Sequence, residues 1–132
     1  MDGEVRECKV LLIRVPRDSK GKVIQTGPVT ALIATKEKVL LDKNKNIIYR
    51  EWIETRPLPF YNKHSPDGFN IGYGGSGPAE LAYSICSCVG ARGLYQDFKF
   101  KVLAKLNRGR DYDIPFSDII FTIDKLKAGS NV

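Results

Sequence analysis

The stretch Phe69–Ala82, F-N-I-G-Y-G-G-S-G-P-A-E-L-A, constrains this chain more than any other. Gly72, Gly74, Gly75 and Gly77 fall close together and run straight into a helical pattern. Glycine stands where the backbone turns sharply or where something approaches it closely. Pro78 suits a first helical position, with its fixed φ and missing N–H. Glu80, three residues after Gly77, is spaced to reach back to a helix cap. The stretch predicts a strand, a glycine loop and a helix start, and it specifies no reaction.

The rest of the chain arranges itself around that turn. Cys8–Val15, with V-L-L-I at its centre, reads as a buried strand stopped by Pro16. Asp18-Ser19-Lys20-Gly21 is a turn signal leading to a short second strand at Lys22–Gln25. Val29–Leu41 has partly helical spacing, but strands are the better reading. Asp42–Asn46 looks like a hairpin tip, and Ile47–Ile53 after it is β-branched and aromatic. Glu54–Gly68, with three prolines, is expected to be a loop.

Helices are expected at Pro78–Val89, Ala91–Leu106 and Asp118–Leu126, the last capped by Ser117. The first carries Leu81, Ala82, Ile85 and Val89 on one stripe, with Gly90 as its stop. The second turns Tyr95, Phe98, Val102 and Leu106 to the core, leaving Arg92, Gln96 and Lys99 on a polar, cationic face. The third uses Ile119, Ile120, Ile123 and Leu126, and the tail 128–132 should be loose. The class is α+β: an N-terminal antiparallel sheet with two to three C-terminal helices packed on one face. Residues 1–132 form a single domain, with strands mainly in 1–54, loop and glycine turn in 55–77 and helices in 78–126.

Composition narrows the setting. No apolar run approaches the roughly 18 residues of a membrane span, and the N-terminus M-D-G-E-V-R-E-C is too acidic for a secretory signal. Three cysteines, an odd number, argue against a disulfide framework and for a reducing, cytoplasmic home. The net charge of +6 is uneven: residues 1–56 hold twelve Lys/Arg against eight Asp/Glu, and the last 25 residues balance at four each. A basic first half suits an anionic partner, nucleic acid among them, or serves solubility alone.

Several known phosphate cradles fail on context. Gly72-x-Gly74-x-x-Gly77 matches the dinucleotide fingerprint, but a helix rather than a second strand follows its helix. The P-loop glycine spacing is present, yet Pro78-Ala79 stand where Lys and Ser/Thr are needed. Gly74-x-Ser76-x-Pro78 falls short of a nucleophile elbow. Two readings of the turn stand. Either its amides converge on an anion at a helix N-terminus, or the glycines only make the turn and Glu80 occupies its positive end.

The runs His64-Ser65-Pro66-Asp67-Gly68-Phe69, Gly72–Ala79 and Leu94-Tyr95-Gln96-Asp97-Phe98-Lys99 resemble a family of bacteriophage and prokaryotic proteins of unknown function. Its members carry H-S-P-x-G-F-x-x-G-Y-G-G-S-G-P-A and, on the next helix, L-Y-Q-x-F-K. The resemblance covers about residues 56–126. Asn70-Ile71 and Glu80 depart from it. It implies a viral or mobile-element setting, a host-cell cytoplasm and an N-terminal addition over residues 1–40, and it supplies no activity.

His64, the only histidine, is the one available His acid or base; the alternative is a loop histidine bonded to backbone. Cys86 and Cys88 point about 200° apart on a helix and do not chelate together. No metal or cofactor is called for. Tyr49, Trp52, Phe60 and Tyr61 interleave with Arg50, Arg56 and Lys63, a mix that can stack a nucleotide or simply line a half-buried strand.

Three functions are therefore expected to compete. The first is a binding protein for a nucleotide-like anion, using Arg56, Ser65, Tyr73, Gly74, Gly75, Ser76, Gly77, Glu80, Gln96 and Lys99; in a viral setting it would sequester a host signalling nucleotide. The second is a phosphodiester-cleaving enzyme with His64 as acid/base. The third is a protein- or DNA-interaction factor. Homo-oligomerisation is compatible with each.

Overall fold

The computed structural model describes residues 2–130. Strand β1 (Asp2–Arg14) pairs antiparallel with β2 (Thr30–Leu41), and β2 with β3 (Ile47–Pro57). Helix α1 (Ser76–Cys88) follows the glycine turn, then α2 (Tyr95–Lys101) between two short 3-10 turns, then β4 (Tyr112–Pro115) and α3 (Phe116–Ser130). The sheet order is β3-β2-β1-β4, all antiparallel. The chain is thus the expected α+β fold, with three helices after the strands of the N-terminal half.

Alternation along β1 explains its central place. Leu11 and Ile13 face the helices and are fully buried, together with Ile33 of β2, Leu81, Ala82 and Ile85 of α1, Phe98 of α2, and Ile119 and Ile123 of α3. Val10 and Leu12 point the other way and pack with Ala34 under Trp52. A strand buried on both faces reads as a continuous apolar run, which is what V-L-L-I is.

Tertiary pairing redraws several boundaries. β1 begins at Asp2 rather than Cys8, because the polar segment before the bulge at residues 7–10 is hydrogen-bonded to residues 36–41 of β2. No strand forms at Lys22–Gln25, where a single bridge joins Arg17 to Val23 across a turn with Gly21 at φ +82. β3 continues to Pro57, so Arg56 lies on an edge strand, opposite Ile33, and not in a loop. β4 fills a segment that sequence patterning leaves blank; it is four residues long and exists by pairing with β1.

Helix ends shift too. Gly75 is the N-cap of α1, so Pro78 sits at its third position, where the N–H would still lack an intrahelical partner. The expected Ala91–Leu106 helix breaks at Val102 (φ −120, ψ −67), and the Leu103 carbonyl beyond the break accepts the Gly72 N–H at 2.9 Å. Of the four core residues expected there, Phe98 is fully enclosed while Tyr95, Val102 and Leu106 are half-buried; Leu103 is the unforeseen core residue. Ile120 is 49 % exposed, beside rather than on the buried stripe of α3. Residues 128–130 continue that helix, while the last two residues of the expected loose tail lie outside the described ones. No helix among the described residues is long and apolar enough to cross a membrane.

Candidate functional site

The glycine turn is shaped first by its own neighbours. Gly72 has φ +84, and a Cβ there would lie 2.3 Å from Arg108 Cγ and 3.0 Å from the Leu106 carbonyl oxygen. A Cβ on Gly75 would meet the Tyr73 ring at 2.5 Å, and one on Gly77 would meet Asn70 Cβ at 2.6 Å and the Tyr73 hydroxyl at 3.0 Å. Gly74 lies against Phe100. The missing side chains thus admit Tyr73, Asn70, Phe100 and the 106–108 segment, which fold over the turn.

Beside that packed turn is a hollow of about 350 Å³, lined by Gly27, Pro28, Ser65, Asp67, Gly68, Phe69, Asn70, Tyr73, Ser76 and Gly77. It opens at the start of α1. Ser76 and Gly77 are the first helical residues, whose N–H groups have no acceptor inside a helix, and no side chain caps them. The opposite wall is the 65–70 loop, held against Val29 by the Val29–Phe69 bridge.

Asp67 is the one charged residue that lines the hollow, and two cations, Lys99 and Arg108, stand against the turn beside it. Lys99, expected on a polar, cationic face and among the ligand-binding residues, is 5 % exposed and does not line the hollow; its Nζ donates to the Gly74 carbonyl oxygen at 3.1 Å and lies over the Phe100 ring. The Arg108 guanidinium stacks on Tyr73, with Cζ 5.3 Å from the ring centroid. Glu80 does not reach back to the cap. Fully buried, it accepts the N–H groups of His64 (2.7 Å) and Ser65 (3.0 Å) through Oε1, tying the loop to the helix. Glu80 therefore makes no cap hydrogen bond to the N–H groups of Ser76 and Gly77.

The hollow gathers Ser65, Tyr73, Ser76 and Gly77 of the expected residues and leaves the others aside. Gly74 and Gly75 belong to the turn without lining the hollow. Arg56 is on the β3 edge. Gln96 is exposed, donating to the Tyr95 hydroxyl at 3.1 Å. The His64 ring stacks on Tyr95 and meets Tyr83 edge-on, and its Nε2 is buried with no hydrogen-bond partner among the described residues, as are Glu80 Oε2 and Ser84 Oγ. That packing puts His64 outside the lining of the hollow.

Gly27, Pro28, Asp67, Gly68, Phe69 and Asn70 are the lining residues that sequence reading missed. Asp67-Gly68 carried only a turn signal, and Gly27-Pro28 comes from the β1–β2 connection, where the Gly27 carbonyl oxygen accepts from the Asn70 side-chain amide at 3.3 Å. Among the described residues no group of three or more His, Cys, Asp and Glu is placed to hold a metal ion.

Neither a curated protein nor a solved structure matches the chain. The model of one family covers residues 38–125, a span that takes in the end of β2, all of β3, the glycine turn, β4 and the helices up to residue 125. On that match the chain belongs to DUF6166, a family of unknown function.

Proposed function

We propose that this chain binds a small ligand through a nucleotide-like anionic group seated in the hollow where α1 begins. The observation that carries the reading is the hollow itself, lying against uncapped Ser76 and Gly77. A helix N-terminus presents N–H donors and a dipole favouring negative charge by about 0.3–1 kcal/mol, and up to about 2 when partly buried. Lys99 and Arg108 add positive charge behind the turn. Tyr73 adds a ring and a hydroxyl at the rim. In a viral or mobile-element setting the protein would act by holding a host signalling nucleotide, one ligand per site and without turnover.

Titration calorimetry with inorganic phosphate and mononucleotides tests this on the full chain. Ser76→Pro is the informative variant, because proline is favoured at a first helical position while removing one donor. Loss of a hydrogen bond to a charged group is expected to weaken binding about tenfold with the melting temperature unchanged. Equal affinity in Ser76→Pro, or no phosphate-dependent binding in either protein, refutes the reading.

A further inference from the structure

An apolar groove of about 420 Å³ adjoins the hollow and has no part in the reading above. Val29, Leu32, Leu58 and Phe60 line it, and it shares Pro28, Asp67, Gly68 and Phe69 with the hollow, so one wall serves both. Each space falls near the lower end of the 300–1,000 Å³ typical of ligand pockets; a ligand spanning the shared wall would occupy both. Phe60 meets Phe69 edge-on at 5.6 Å and remains 45 % exposed, which leaves it free to pack on a flat ring. Asp67 is exposed on the wall between the two spaces and makes no hydrogen bond, ion pair or ring contact among the described residues, so its carboxylate is open to a ligand.

The hydrogen-bonding capacity of Asp67 restricts what the groove accepts. An ionised carboxylate only accepts hydrogen bonds, at two oxygens side by side. It repels a phosphate, so the anionic end of a ligand belongs on the Ser76–Gly77 side. What suits it is a planar ring whose edge carries two adjacent donors. Guanine does, with N1–H beside the N2 amine. Adenine and cytosine each place an amine beside a ring acceptor, and uracil places its N3–H between two carbonyls. Apart from Asp67 and Thr30 the groove offers no polar side chain to compensate a mismatch.

We infer that the groove is a base subsite for a guanine nucleotide, with Asp67 reading the N1–H and N2 amine edge and Phe60 packing on the ring. The inference rests on the anionic group occupying the hollow as proposed.

Calorimetry on the full chain with GMP, AMP, CMP, UMP, guanosine and inorganic phosphate tests it, together with Asp67→Asn. GMP is expected to bind about tenfold tighter than the other nucleotides, the usual discrimination of a bidentate contact. Asp67→Asn should erase that preference, while inorganic phosphate should bind at least as tightly as before, because the variant removes a like charge from the lining of the hollow. Equal affinity for all four nucleotides, or a preference that survives Asp67→Asn, overturns the base subsite while leaving the phosphate seat intact. Guanosine binding that needs Asp67, with phosphate adding nothing, supports the base subsite and overturns the phosphate seat. Absence of binding by every probe overturns both.

Discussion

Gly72 shows how much a single position in the turn is asked to do. It combines φ +84, a 2.3 Å approach to Arg108 Cγ and a 3.0 Å approach to a backbone oxygen. An L side chain in the left-handed region costs of order 1–3 kcal/mol before any clash. Gly72→Ala is therefore expected to lose about 2–3 kcal/mol in denaturant unfolding. Gly75→Ala, which has no positive φ and displaces only the Tyr73 ring, should lose less; the reverse order would contradict this geometry.

Cys86 offers a second test at this scale, since burial pushes its thiol from 9.0 up to about 12. The folded state keeps a proton that the unfolded state releases. Stability is thus full below about pH 9 and falls as pH rises toward 12, with a slope of at most about 1.4 kcal/mol per unit. Between pH 8 and 10.5 the wild-type protein should lose more stability than Cys86→Ala; parallel losses in the two proteins would show that Cys86 is not the source.

At the level of elements, the contact that matters most for the site is between α1 and the loop before it. Glu80 on α1 collects two loop N–H groups, and Ser65, one of the donors, forms one wall of the hollow with Asp67, Gly68, Phe69 and Asn70. Glu80→Gln keeps the size but replaces charge-assisted bonds with neutral ones, which are roughly half as strong. A loss of about 1–2 kcal/mol is expected in chemical denaturation, with faster hydrogen exchange at His64 and Ser65. Unchanged exchange at those two amides would mean the tether is not what holds the loop.

The same elements show why some features were legible and others were not. α1 was readable because Leu81, Ala82 and Ile85 repeat at helical spacing between a glycine turn and Gly90. β4 was not, because four residues carry no period of their own and are strand only beside β1. Lys99 was legible only as part of a cationic face with Arg92 and Gln96, and nothing local reveals its burial or the Gly74 carbonyl it meets.

For the molecule as a whole, the family match begins at Lys38, inside β2, while β1 and most of β2 precede it. Residues 1–40 are nonetheless no detachable addition to this fold. β1 lies between β2 and β4 and contributes fully buried Leu11 and Ile13. A chain begun at Lys38 would leave β4 and the helix-facing core without their central strand. It is expected to lose cooperative unfolding and near-ultraviolet dichroism, and a sharp transition in that shortened chain would contradict the central role of β1.

What the amino-acid sequence determined alone was everything set by neighbours in the chain: the β-rich first half, the hairpin at Asp42–Asn46, the glycine turn and the helix after it. Propensity, turn chemistry and periodicity act over a few residues and leave their mark in them. Only the tertiary structure decided that Glu80 faces the loop, that Lys99 turns inward, that β4 exists, and that Gly27 and Asp67 share a hollow with Ser76. Those facts depend on groups distant along the chain meeting across the packed core, where burial and unsatisfied hydrogen bonds, rather than local pattern, select the partner.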